Sequence, residues 1–229
     1  MKLLKLSLAA AVLATGIFAA EESEIGISAN VAATSNYVWR GMTQSDDAPA
    51  IQGGFDVEYK GFYLGTWGSS VQWEDSTGDT AAMEADFYAG YTNEVYGVTY
   101  DIGAIKVVYP NTMSEFNFAE IYLGLGYDFE IFSIGAKYSN GIKTDKFDAP
   151  NNIEGTISIP VPVVEVSLDG AYGAYGKNGD DNGFGTYYSV GVTKTLGKFE
   201  FTLAYTGMDY YIDNKDSENN FVGMVGASF

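Results

Sequence analysis

Carboxylates spaced two residues apart are the reactive groups this sequence offers most often. Glu84 and Asp86 are one such pair, Asp56 and Glu58 another. Residues i and i+2 lie on one face of a strand. Two carboxylates so placed could act as general acid and general base, the arrangement used in glycoside hydrolysis. With 30 Asp and Glu in 229 residues, however, pairs at this spacing arise by chance. The other common catalytic chemistries lack their residues. There is no His, so the usual general base, the serine-triad base and the commonest zinc ligand are missing. There is no Cys, hence no thiolate nucleophile, thiolate metal site or disulfide framework. An enzyme is therefore not expected, and neither is a cofactor or a bound metal. Asp180-Asp181-Asn182-Gly183 slightly resembles a calcium loop, but it lacks the spaced ligands and the terminal bidentate Glu. The formal charge of −18 argues against nucleic acid as a partner.

Arg40 is the only arginine. A guanidinium among carboxylates can form a bidentate pair or an anion-reading constriction. The plainer reading is an ion pair with Asp56 or Glu58 that fixes the first hairpin.

These groups sit on segments that alternate with period two, the mark of a strand with unlike faces. From Ile25 the odd positions read Ile25, Ile27, Ala29, Val31, Ala33, Ser35, Tyr37, Trp39, and the even ones carry Ser28, Asn30, Thr34, Asn36 and Arg40. Ile51, Phe55, Val57 and Tyr59 alternate with Gln52, Asp56, Glu58 and Lys60. Met83, Phe87 and Tyr91 alternate with Glu84, Asp86 and Tyr88. Ile121, Leu123, Leu125 and Tyr127 alternate with Glu120, Tyr122, Gly124 and Asp128, and Phe199, Phe201 and Leu203 with Glu200 and Thr202. From Phe62 to Trp73 either phase fits.

The breaks between runs alternate in length. Short ones fall at 60–61, 93–94, 129–130, 160–162 and 196–198. Long polar ones fall at 41–48, 74–81, 110–117, 139–151, 176–182 and 211–219. Twelve strands result, with short turns at one end and longer loops at the other. This is the pattern of an all-β, antiparallel up-and-down transmembrane barrel with short periplasmic turns and long extracellular loops. A soluble β-sandwich also alternates, but it needs neither the loop asymmetry nor aromatic girdles. Here Tyr59, Tyr91, Tyr127 and Phe199 flank short turns, while Tyr37, Trp39, Tyr109 and Tyr138 lie towards long loops. Aromatics at both interfaces are expected of a barrel.

The N-terminus reads differently. Lys2 and Lys5 precede an apolar run from Leu6 to Phe18, then Ala19, Ala20, Glu21 and Glu22. Residues 1–20 are expected to be a cleaved signal peptide, cut after Ala19 or Ala20, and residues 21–229 the barrel domain. The apolar run is too short for a spanning helix. Loss of both lysines leaves 10 bases against 30 acids, a charge of about −20. The expected location is the outer membrane of a Gram-negative bacterium.

Several stretches resemble the TorF family of porins. The first runs from Asn30 to Ser45, including Tyr37-Val38-Trp39-Arg40-Gly41-Met42-Thr43, and continues from Pro49 to Asp56. Phe62 to Trp67, Glu84 to Tyr91, Val190 to Lys194 and Leu203 to Tyr205 extend the likeness, which is looser from Gly141 to Asn182. The resemblance implies an outer-membrane porin and carries no substrate or established site residue. The final strand ends in Phe229, similar to the signal that barrel-assembly machinery reads.

With the polar phase inward, the expected pore lining is Arg40, Asp56, Glu58, Glu84, Asp86, Tyr88, Asp101, Glu120, Tyr122, Lys137, Glu154, Glu165, Asp169 and Glu200, with Asp128, Lys60 and Lys198 in the same phase. An acidic lumen concentrates cations. The expected function is passive diffusion of small hydrophilic solutes or ions, with cations preferred. The alternatives are a plugged structural or surface-interaction barrel and a substrate-specific channel. For the last, Tyr88, Tyr122 and Tyr187 would form an aromatic track. The plainer reading has them filling space left by Gly124 and Gly126. The expected partners are the outer-membrane bilayer, the assembly machinery and the permeating solutes, and a barrel of this size can be monomeric.

Overall fold

Twelve antiparallel strands close on themselves in sequence order, each hydrogen-bonded to its neighbours, in the computed structural model of the chain. The structure describes residues 25–75, 78–142, 149–177, 183–212 and 215–229. The expected signal peptide and the Asp180–Asp181 loop lie outside them. The barrel strands are β1 (Gly26–Thr34), β4 (Ala50–Tyr59), β5 (Phe62–Glu74), β6 (Thr80–Val95), β7 (Val98–Val108), β8 (Phe118–Asp128), β9 (Ser133–Ile142), β10 (Asn152–Val161), β11 (Val166–Tyr175), β12 (Gly185–Leu196), β13 (Phe199–Tyr210) and β14 (Glu218–Ser228). Two further short strands, β2 (Val38–Trp39) and β3 (Met42–Thr43), form a hairpin of their own.

Closure runs through β1 and β14, paired from Asn30–Ser228 to Thr34–Met224. The seam extends to the last residue. Ala29 N–H donates to the Phe229 carbonyl at 3.1 Å, and Phe229 N–H to the Ala29 carbonyl at 2.9 Å. No edge is left to pair with another chain.

Strand alternation becomes inside and outside. Leu64, Phe87, Ile121, Leu125, Val190 and Leu203 are each at least half exposed on the outer surface. Their neighbours Tyr63, Asp86, Tyr88, Glu120, Tyr122 and Ser189 are buried within. The ambiguous run 62–73 places Tyr63, Trp67, Ser69 and Val71 inward and Phe62, Leu64 and Ser70 outward. An aromatic rim marks the short-turn end, where Phe62 lies 4.7 Å from Tyr91 and Tyr127 4.6 Å from Phe129. Towards the other end Tyr138 and Tyr172 are exposed and Tyr205 packs on Phe221. Tyr37, Trp39 and Tyr109 do not belong to that rim, contrary to the sequence expectation. Tyr37 and Tyr109 are 1% and 5% exposed and, like Trp39, pack inside the barrel.

Two short turns fall later than the sequence suggested. The β6–β7 turn is at Tyr96-Gly97, not 93–94, and the β10–β11 turn spans 162–165, because β10 carries Pro160 inside the strand. Lys60-Gly61 and Tyr96-Gly97 both have positive φ at the two central residues, the backbone that two-residue hairpins require.

Inward tyrosines lie over glycines directly across the ladder. The register pairs Tyr63 with Gly90, Tyr88 with Gly65, Tyr122 with Gly103 and Tyr187 with Gly173. A Cβ on any of these glycines would fall 2.2 to 2.5 Å from the tyrosine ring or hydroxyl. The expectation that tyrosines fill space above glycines holds, but with other glycines. A Cβ at Gly124 would meet nothing nearer than 3.6 Å. Gly90→Val should therefore drive Tyr63 from its place and lower stability by about 1–3 kcal/mol, whereas Gly124→Ala should change it by less than about 0.5 kcal/mol. Urea unfolding in detergent, followed by tryptophan fluorescence, compares the two. Equal effects would refute the pairing as a packing device.

Candidate functional site

The first long loop does not stay outside. After Thr34 the chain turns into the barrel, forms the β2–β3 hairpin and returns to the wall at Ala50. Arg40 and Gly41 make its two-residue tip with φ of 48° and 79°. Position 41 must be glycine, since a Cβ there would lie 2.3 Å from the Gly207 carbonyl oxygen on β13. The base of the hairpin is tied by polar contacts. Asn36 Nδ2 donates to Asp47 at 2.7 Å, Thr43 Oγ1 donates to Asn36 Oδ1 at 2.8 Å, and Tyr37 N–H donates to Ser45 Oγ at 2.9 Å. Thr43 N–H reaches Glu218 on β14 at 3.0 Å.

The hairpin spans the lumen. Tyr37 meets Trp67 of β5 edge-on at 5.5 Å and donates to Glu84 of β6 at 2.7 Å. Trp39 packs against Phe118 of β8 and Tyr175 of β11. At the tip, the Arg40 guanidinium makes two parallel bonds of 2.7 Å to the Glu120 carboxylate and lies 4.3 and 4.4 Å from the Trp39 and Tyr175 ring centres. This corrects two expectations. Arg40 is not on strand one, and its partner is Glu120 rather than Asp56 or Glu58. The ion pair is 7% and 4% exposed at its two side chains.

Towards the short-turn end a second polar layer lines the wall. Tyr63 donates to Asp101 at 2.6 Å and its hydroxyl lies 2.5 Å from that of Tyr122. Tyr88 donates to Asp56 at 2.5 Å. Lys137 stands 4.1 Å from the Tyr122 ring centre. Ser158 and Ser167 donate to Asp169 at 2.7 and 2.9 Å. Nearer the long-loop end, Tyr187 donates to Glu154 at 2.9 Å, and Tyr210 donates to Glu218.

Of the expected lining, Glu84, Asp86, Tyr88, Glu120, Tyr122 and Asp169 are buried inside. Asp56, Glu58, Asp101, Lys137, Glu154 and Glu200 face inward half-buried. Glu165 is not among them. It sits exposed in the 162–165 turn with φ of 55°, because β10 runs on past Pro160. Lys60, Asp128 and Lys198 are likewise exposed at turns, so Arg40 and Lys137 are the inward-facing bases among the described residues.

Between the hairpin and the wall lies a cavity of about 60 Å³, lined by Trp39, Arg40, Glu84, Asp86, Tyr109, Phe118, Glu120, Lys137, Ser139, Asn152 and Glu154, with Ile105 and Val107. Sequence reasoning missed Ser139 and Asn152, which share the inward phase of Lys137 and Glu154. Continuing those two alternations by one step would have found them. Outside, Asp75, Asp79 and Glu115 bring carboxylate oxygens within 4.8 Å of one another on two long loops. Asp75 accepts the Asp79 N–H within its turn at 3.0 Å.

Removing one partner of a buried pair leaves the other uncompensated. Arg40→Ala should cost about 3–5 kcal/mol of stability. The double substitution Arg40→Met with Glu120→Leu should recover most of it, because neither charge then stays behind. Chemical unfolding of the single and double variants tests the pair. A double variant no better than Arg40→Ala would show that the hairpin tip depends on packing rather than charge.

The architecture has solved counterparts. The chain is similar to the KdgM porin, with a TM-score of 0.60 and 11% identity over 88% of this chain and 99% of that one. The NanC porin gives 0.58 and 11% over 89% and 99%. The outer membrane phospholipase A from Escherichia coli gives 0.52 and 9% over 87% and 92%. At these identities the likeness is one of fold. No curated protein is detectably similar in sequence. Residues 19–228 match a family across nearly the whole barrel, and the chain belongs to that family, described as "Bacterial protein of unknown function (Gcw_chp)".

Proposed function

We propose that this barrel is an outer-membrane channel, narrowed by its inward hairpin, that passes small ions and prefers cations. The observation that carries the reading is how the interior satisfies its acids. Asp56, Glu84, Asp101, Glu154 and Glu218 each accept a hydrogen bond from a tyrosine hydroxyl. A neutral donor satisfies the oxygen without cancelling its charge, and Arg40 and Lys137 are too few to do so. A negative field confined by low-dielectric walls attracts cations and repels anions.

Size supports the same reading. Drug-sized ligands occupy pockets of about 300–1,000 Å³, and the cavity beside the hairpin is about 60 Å³. Ions and water fit such a space while the hairpin is in place. The resemblance to TorF-family porins and the fold of KdgM and NanC favour a channel. Catalysis finds no support, since the chain has no His or Cys and the Glu84–Asp86 pair lies beneath the hairpin. Residues 1–20 would direct export, the exposed apolar band would contact the outer-membrane bilayer, and the terminal strand ending at Phe229 would be read by the assembly machinery.

A second reading, a non-conducting structural barrel, is favoured by one observation, the hairpin that reaches across the lumen. Planar-bilayer recording separates the two. The channel should open in discrete steps, and its reversal potential in a tenfold salt gradient should take the sign of cation preference. Replacing Val38–Thr43 by a Gly-Gly turn should raise the conductance several-fold. Anion preference would overturn the electrostatic argument. Silence from a correctly folded, heat-modifiable barrel would select the structural reading.

A further inference from the structure

The cavity beside the hairpin contains a carboxylate with no hydrogen-bond partner among the described residues. Asp86 is 1% exposed, and neither of its oxygens has a hydrogen-bond partner among the described residues. Ser139, 0% exposed and lining the same cavity, has an equally unpartnered Oγ. Its neighbours are otherwise provided for. Glu84 receives the Tyr37 hydroxyl, Glu120 holds Arg40, and Glu154 receives the Tyr187 hydroxyl.

Burying an unpaired carboxylate is among the most costly arrangements in a folded protein. Of the cavity-lining side chains, Glu84, Asp86, Glu120 and Glu154 are acids, and Arg40 and Lys137 are bases. With all six ionised, the acids exceed the bases by two. The free donor atoms are hard oxygens, suited to alkali and alkaline-earth cations rather than to transition metals. The cavity of about 60 Å³ also has room for a few waters to complete a coordination shell.

We propose that the Asp86–Ser139 cavity is a binding site for a hard metal cation of the sodium or calcium class, held directly by these two residues and otherwise by water. The cation supplies the positive charge that Arg40 and Lys137 leave lacking, and it joins β6 to β9 under the hairpin. The inference deepens the cation preference proposed above, but it concerns occupancy and does not require conduction.

The test uses the full barrel folded in detergent. Thermal unfolding is compared in choline chloride, sodium chloride and calcium chloride at equal ionic strength. Either metal chloride should raise the melting temperature of the wild type by roughly 5 °C at saturation. The rise should be absent in Asp86→Asn. It should persist in Asp75→Asn/Asp79→Asn/Glu115→Gln, which removes the carboxylate cluster on the outer loops. A wild type indifferent to metal, or an Asp86→Asn variant that keeps the rise, would overturn the proposal. Should Asp86→Asn fail to fold, wild-type crystals grown in rubidium or strontium chloride give the answer. Anomalous density beside Asp86 supports the site, and its absence refutes it. A barrel silent in bilayers that still shows the metal-dependent rise loses the channel reading and keeps the site.

Discussion

Closure of the sheet is the constraint on which everything else depends. In hydrocarbon no water is available to unpaired N–H and C=O groups, so a spanning sheet must pair all of them and leave no edge. The β1–β14 seam does this, down to the reciprocal bonds between Ala29 and Phe229. Once the sheet is closed, the pleat sends every second residue inward, and period two becomes a radial sorting of apolar from polar groups. Twelve strands enclose more space than one side-chain layer fills, since about eight already give a packed interior. The chain fills the excess with a hairpin of its own and with tyrosines laid over glycines.

The interior then faces an electrostatic problem of its own making. Polar side chains turn inward because they cannot face lipid, and most of the ionisable ones are acids. Pairing each acid with Lys or Arg would neutralise the lumen. The protein does so at the hairpin tip, where Arg40 grips Glu120. Elsewhere it uses phenol. Tyr37, Tyr63, Tyr88, Tyr187 and Tyr210 each donate to a carboxylate. Inward tyrosines and inward acids are thus two halves of one device. Oxygens are satisfied without a counter-charge, and among the described residues Asp86 is the buried acid to which the device does not reach.

Alternation made twelve strands and the inward acids legible from residue order alone. The errors came where alternation continued past its cause. Tyr37 and Trp39 keep the phase of strand one, yet the chain has left the wall at Thr34, and only the Arg40-Gly41 tip shows why. Glu165 keeps the phase of β11, but Pro160 stays in β10 and moves the turn onto it. The tyrosine–glycine pairs needed register, which relates residues far apart in sequence, such as Tyr63 and Gly90. The Arg40–Glu120 pair is separated by 80 residues and spans the lumen, so no local pattern encodes it.

Arginine at that tip serves a purpose lysine could not. The guanidinium plane accepts two faces of aromatic packing, from Trp39 and Tyr175, while its edge meets Glu120 bidentately. A lysine would make a point contact and leave one carboxylate oxygen without its partner. Because the pair is buried, salt screens it little, and separating the charges would strand both in a low-dielectric interior. A hairpin held in this way is a fixed part of the lumen rather than a lid that swings with ionic conditions. Any selectivity must then come from the walls it leaves uncovered, and those are lined by carboxylates bonded to neutral hydroxyls. In the proposed channel the constriction would limit size, and the uncancelled charge around it would favour cations.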